Sequence, residues 1–149
     1  MVRWCYILFF AAGQGHRSQM TSARILIADD EPAITMSLEF LFCNAGYETQ
    51  IASDGEIALR SAKGFKPDLI VLDLMLPKLS GLDVCRALRA DPQQNRLKVL
   101  MLTARGGKSD RAHGVAAGVD AYQVKPFSTQ DLLAQVRWLL AVQGVPHAR

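Results

Sequence analysis

Leu69-Ile70-Val71-Leu72-Asp73-Leu74-Met75-Leu76-Pro77 carries four apolar residues without a break into one carboxylate. A short all-apolar run with β-branched members predicts a strand buried on both faces, as in a parallel sheet. Asp73 falls where that strand should end. In open α/β sheets, ligands bind outside the carboxyl ends of the strands. A carboxylate there is a nucleophile, a metal ligand or a helix cap, and the other strand ends must decide between these.

Outward from this stretch, strands and helices alternate. Upstream, Arg24-Ile25-Leu26-Ile27-Ala28 predicts a buried strand ending in Asp29-Asp30-Glu31. Pro32 suits the first turn of a helix, where its missing N–H costs nothing. Ile34, Leu38, Leu41 and Phe42 give that helix its apolar face, and Gly46 is a left-handed stop. A second strand follows from Tyr47 to Ala52. Ser53 and Glu56 stand at capping-box spacing, so they start a second helix that Gly64 is expected to end. Downstream of Pro77, Ser80 begins a third helix and Asp91-Pro92 breaks it. Leu97 to Leu102 predicts a fourth strand ending at Thr103. A weak fourth helix runs from about Lys108 to Ala117, with Gly114 inside it and Gly118 closing it. Ala121 to Val124 is a short fifth strand ending at Lys125-Pro126-Phe127. Ser128 caps a last helix with Leu132, Leu133, Val136, Leu139 and Leu140 on one face.

Five strand–helix units predict an α/β fold: a doubly wound, five-stranded parallel sheet of the flavodoxin-like (βα)5 kind, a three-layer sandwich. The 149 residues suit one domain with a real core, and 50% apolar content is globular rather than disordered. Net charge is +3, but Arg3 and Arg17 stand near the N-terminus, and the rest is balanced to within one charge. That balance makes no case for nucleic acid or an anionic membrane. Cys5, Cys43 and Cys85 are too widely spaced for a disulfide framework or a zinc site. The apolar run Trp4 to Ala12 after Arg3 resembles a weak secretory signal with a short apolar region, though the pattern that follows is that of a cytosolic domain, and no run reaches the roughly 18 residues of a membrane span. Residues 1–20 are therefore expected to be an N-terminal extension, with Met20 the natural start. Residues 21–149 are expected to form a single cytoplasmic domain.

If the strands are parallel, Asp29, Asp30, Asp73, Thr103 and Lys125 meet at one sheet edge. Three close carboxylates repel one another, and a hard, oxygen-seeking cation such as Mg²⁺ relieves that repulsion. Lys125 adds a fixed positive charge and Thr103 a hydroxyl donor. This inventory suits phosphoryl transfer to a carboxylate.

The segments Ile27-Ala28-Asp29-Asp30-Glu31, Leu72-Asp73-Leu74-Met75-Leu76-Pro77, Ser80-Gly81, Leu102-Thr103-Ala104, Gly118-Val119-Asp120-Ala121-Tyr122 and Lys125-Pro126-Phe127 stand in this order at the strand ends. The set resembles a two-component response-regulator receiver domain, over residues 24–142, of the stand-alone, chemotaxis-regulator-like type. The resemblance implies that Asp73 becomes an aspartyl phosphate. It implies that Asp30 binds Mg²⁺ directly, Asp29 binds it through water, and Met75 lends it a backbone carbonyl. Thr103 and Lys125 would pair with the phosphoryl oxygens, and the Lys125-Pro126 bond would be cis. Phosphorylation raises the charge at Asp73 and adds acceptor oxygens. Thr103 would then move inward, and Tyr122 would follow as the aromatic switch. The fourth helix, fifth strand and fifth helix would form the altered face. The implied partners are a histidine kinase or phosphotransfer protein and an unknown downstream protein, with the chain a monomer or a weak dimer through that face. Many DNA-binding relatives carry a second acid after Asp120, where this chain has Ala121. Of the acid–base pairs across the last two elements by which those relatives dimerise, Asp120 and Arg137 still offer one.

Simpler readings compete at each position. Asp29 and Asp30 could cap the first helix, Lys125 could be a solvated surface lysine, and Tyr122 a half-buried core aromatic. As alternatives in function, the chain could serve as a phosphorelay intermediate or a phosphate sink. An enzyme of the haloacid dehalogenase type would need a second Asp two residues past its nucleophile, and Met75 stands there. A flavodoxin-like nucleotide binder would need a phosphate loop after the first strand, and none follows. The expectation is a signalling receiver and not an enzyme acting on a separate substrate.

Overall fold

The computed structural model describes residues 22–104 and 108–142, with only the backbone at 108–110. The expectations for Met20 and Cys5 lie outside these residues. Five strands, β1 (Arg24–Ala28), β2 (Glu48–Ala52), β3 (Leu69–Asp73), β4 (Lys98–Thr103) and β5 (Ala121–Val124), form one sheet in the order β2-β1-β3-β4-β5. Every pairing is parallel. The helices are α1 (Pro32–Asn44), α2 (Gly55–Phe65), α3 (Gly81–Ala90), α4 (Lys108–Ala117) and α5 (Thr129–Ala141), with a short 3-10 turn at Pro92–Gln94.

Side chains alternate across a strand, so each central strand supplies both faces. Ile25, Ile27, Leu69, Val71, Leu100 and Leu102 face one layer, where they meet Leu38 and Phe42 of α1 and Leu132, Val136 and Leu139 of α5. Leu26, Ala28, Ile70, Leu72, Val99 and Met101 face the other, with Ala58 and Ala62 of α2, Val84, Cys85 and Leu88 of α3, and Ala117 of α4. All five residues of β3 are buried. The three-layer α/β sandwich is therefore the observed architecture. Cys85 is a core residue: its thiol donates to the Ala117 carbonyl at 3.2 Å, and burial pushes it up to about 11. Among the described residues, no helix is long and apolar enough to cross a membrane.

Two local expectations are corrected. The cap of α2 is Asp54 and not Ser53: its Oδ1 accepts from the Ile57 amide at 2.8 Å. Gly64 does not end that helix. Phe65 packs against the core, which rewards one more residue of helix, and the helix ends at Lys66, in the left-handed region at φ 52°. Pro67 follows, and a residue before proline is disfavoured in the α region. In contrast, Ser80 and Ser128 cap α3 and α5, accepting from the amides of Asp83 and Asp131.

Within the chain, Asp120 is engaged by α3 and β4. Its Oδ2 lies 2.8 Å from Arg89 Nη2 and accepts from the Val99 amide at 2.7 Å. Arg89 also donates to the carbonyls of Gly118 at 2.9 Å and Leu97 at 2.7 Å. Thus α3, the start of β4 and the α4–β5 turn are tied at the sheet edge opposite Asp73. Both side chains are nearly buried, so removing one strands the other without a counter-charge. Arg89→Ala is expected to lower stability by about 2 kcal/mol, measured by urea unfolding. A loss under a few tenths would mean the tie is ornamental.

Candidate phosphoacceptor and metal site

Parallel pairing sends every strand's carboxyl end to the same edge. β1 and β3 are neighbours, with Ala28 opposite Leu72, and β3 and β4 pair Asp73 with Leu102. The chain leaves β1 for β2 on one side and returns to β3 on the other. A crevice opens at such a switch point. Asp29 and Asp30 follow β1 into it, and Asp73 closes β3 beside them.

One carboxylate oxygen from each of Asp29, Asp30 and Asp73 lies within 4.8 Å of the others. Asp29 and Asp73 are buried and Asp30 is exposed. Asp29 is not free to cap α1: its Oδ1 accepts from the Glu31 amide at 2.9 Å, while Oδ2 accepts from Lys125 Nζ at 3.0 Å. The same ammonium stands 3.6 Å from Asp73 Oδ2. Asp73 Oδ1 accepts from the Met75 amide at 3.3 Å. Lys125 reaches inward from the end of β5, its amide donating to the Thr103 carbonyl at 2.8 Å. The Lys125–Pro126 peptide bond is cis.

These neighbours set the electrostatics. Burial, then the charge of Asp29, raises the Asp73 carboxyl above its ordinary value, and Lys125 and the Met75 amide only partly oppose this. For Lys125, burial pulls the ammonium down, but its hydrogen bond to Asp29 and the charges of Asp29, Asp73 and Glu31 outweigh that and raise it. The site therefore holds more negative charge than one lysine balances. Three carboxylates of mixed burial within reach of one ion fit a hard divalent cation such as Mg²⁺, which keeps some waters.

Thr103 is buried at the end of β4, opposite Val124. Tyr122 lies on β5 opposite Met101, half-buried against the α2–α4 layer. The Met75 side chain points to solvent at 76% exposure, so only its backbone is available to the crevice.

The loop after Asp73 is held by Gly81, of the Ser80-Gly81 motif, and by Asp54 and Gly55, whose part in it has no signal in the sequence. Gly81 opens α3 with its amide donating to the Leu74 carbonyl at 2.8 Å. A Cβ on Gly81 would strike the Asp73 carbonyl and approach Leu74 Cα at 2.9 Å, so only glycine lets α3 begin this close to the acceptor. The far side of the loop leans on α2: the Gly55 amide donates to the Pro77 carbonyl at 3.1 Å, and Lys78 lies 3.3 Å from Asp54. Asp54-Gly55 is a turn signal, but nothing local announces that it receives a distant loop.

The family model for the response regulator receiver domain matches residues 25–137. Over 117 residues, 78% of this chain, it is 45% identical to the alkaline phosphatase synthesis transcriptional regulatory protein PhoP of Bacillus subtilis. It is 47% identical over the same share to the DNA-binding dual master transcriptional regulator RpaA of Synechocystis. Each match spans 48% of the relative, so the chain corresponds to about half the length of these proteins. Among solved structures, a response regulator from Chloroflexus aurantiacus aligns over 80% of this chain and 98% of its own, with a TM-score of 0.77 and 37% identity. The receiver domain of a Pseudomonas aeruginosa sensor histidine kinase, solved with magnesium in its active-site cleft, aligns over 80% of this chain and 98% of its own, at 0.75 and 30%.

Proposed function

This chain belongs to the response-regulator receiver family, the phosphorylatable module of two-component systems, and from that premise we propose that Asp73 is its phosphoacceptor, with Lys125 and Thr103 receiving the phosphoryl oxygens. The single observation that carries this reading is the Lys125 ammonium, 3.0 Å from Asp29 and 3.6 Å from Asp73. A lysine in that position is poised to neutralise charge added at Asp73.

Asp29, Asp30, Asp73 and the backbone carbonyl of Met75 would hold Mg²⁺. The ion, when bound, neutralises the carboxylates and the charge that develops on the transferred group. An Asp73 oxygen attacks phosphorus, the bond from phosphorus to the donor nitrogen of a phosphohistidine breaks, and the imidazole keeps the electron pair. Lys125 Nζ moves from Asp29 toward the new oxygens, and the Thr103 hydroxyl donates to another. Thr103 and Tyr122 then carry the change to α4, β5 and α5, a two-state element biased by local charge. The partners are a histidine kinase or phosphotransfer protein upstream and a protein target on that face. The chain acts on no separate substrate.

Acetyl phosphate supplies a kinase-free test. With Mg²⁺, the full chain gains one phosphoryl group by intact mass spectrometry, and hydroxylamine removes it, as it does any acyl phosphate. With a chelator in place of Mg²⁺ the gain falls at least tenfold, because the acid cluster repels the anionic donor. Labelling that ignores the chelator would exclude the metal role. Steady hydrolysis of phosphate esters without a labelled protein would point to a hydrolase.

A further inference from the structure

Gly114 sits in the middle of α4, where glycine is among the poorest helix formers. It is buried, while His113 and Val115 on either side are exposed. A Cβ on Gly114 would coincide with the Tyr122 hydroxyl, clash with Cζ and lie 2.9 Å from Cε2. The tip of the ring thus fills the volume that any other residue at position 114 would need.

The surroundings leave the ring little choice. The Tyr122 backbone is paired with β4, and its carbonyl accepts from Gln135 Nε2 of α5 at 3.3 Å. The Gly114 carbonyl accepts from the Val119 amide at 3.0 Å, closing α4 at Gly118, which has φ +88°. Arg89 holds Gly118 and Asp120 in turn. The height of position 114 above position 122 is therefore set by a short, anchored turn.

We propose that Gly114 is the seat of Tyr122: a positioning residue whose missing side chain holds the aromatic beneath α4. This rests on the reading of Tyr122 as the switch aromatic, and it adds what sets the position of the ring. With the seat filled, α4 cannot slide across the ring. With the ring withdrawn, the glycine leaves α4 both unsupported and intrinsically weak. Ring and helix therefore change place together.

The full chain is grown with 3-fluorotyrosine, and the Tyr122 resonance is assigned by its loss in Tyr122→Phe. In Gly114→Ala, that resonance is expected to move to a solvent-exposed position and to broaden severalfold more with a soluble paramagnet. Thermal unfolding adds a cycle with Tyr122→Ala. In the Tyr122→Ala background, Gly114→Ala raises Tm by about 4 °C, the gain expected for alanine over glycine in a helix. In the wild-type background the same change gives no rise or a fall. An unmoved fluorine resonance, or equal Tm increments in both backgrounds, overturns the proposal; the resonance alone decides if Tyr122→Ala fails to fold. Acetyl phosphate labelling of the same samples is read separately. If wild type does not label, the receiver reading fails while the seat stands. If it labels and the resonance does not move, the seat alone fails.

Discussion

Asp73→Asn is expected to abolish acyl-phosphate formation while leaving the fold intact. Asparagine keeps the shape of the side chain, and its oxygen can still accept from the Met75 amide that holds Asp73 at 3.3 Å. It lacks the anionic nucleophile, so no acyl phosphate forms at that position. With Mg²⁺ and acetyl phosphate, the hydroxylamine-labile mass gain seen in wild type disappears. Label retained in the variant would place the acceptor elsewhere.

The same substitution is expected to stabilise the protein in the absence of metal. The Asp73 carboxyl is raised by burial and by Asp29, so the folded state resists its ionisation. A group with a raised folded value contributes stability that is complete below its unfolded value of 3.8 and is lost as pH rises through the folded value. At neutral pH that contribution is gone, and Asp73→Asn should gain roughly 0.5–2 kcal/mol, the range for relieving a functional site. The gain should shrink toward zero as pH falls below the unfolded value. Urea unfolding across pH without Mg²⁺ measures it. A gain that persists in acid would have a cause other than ionisation.

Lys125→Ala carries the second large effect. Its ammonium is the cation between Asp29 and Asp73, and Asp29 is buried. A preorganised charge aimed at a transferring group typically accounts for roughly a hundred- to a thousandfold in rate. Labelling by acetyl phosphate at saturating Mg²⁺ should slow by that factor, with Asp73 still the site. Stability should fall by about 2 kcal/mol at neutral pH, because two carboxylates lose their nearest positive charge. The Lys125 ammonium is raised above its ordinary 10.5, so its contribution is complete below 10.5 and lost as pH climbs through the folded value. The stability gap between variant and wild type should accordingly close only in strong alkali. A rate within threefold of wild type would remove Lys125 from the transfer step.

The strand ends were legible because a strand buried on both faces tolerates no charge until it emerges. Leu69 to Leu72 had to be interior, and Asp73 had to mark the exit. The same held for Ile25 to Ala28 before Asp29 and for Val99 to Leu102 before Thr103. Helix starts were readable at Ser80 and Ser128, where a hydroxyl meets the amide three residues on. At α2 two adjacent residues, Ser53 and Asp54, could each serve, and the choice fell to the one whose neighbour Gly55 also donates to Pro77. Lys66 in the left-handed region and the buried service of Arg89 left no local trace. A lysine and an arginine near the ends of helices look like ordinary surface residues.

The amino-acid sequence by itself determined which residues are interior, where each strand stops and hence which polar groups reach one edge of a parallel sheet. Those properties follow from local periodicity and from the cost of burying charge. Only the tertiary structure decided the pairings: Asp120 with Arg89, Lys125 with Asp29 more closely than with Asp73, and Tyr122 with Gly114. Partners in these pairs lie from eight to 96 residues apart in the chain. Their meeting depends on strand order and on how each helix lies across its layer, distances that no neighbouring residue encodes.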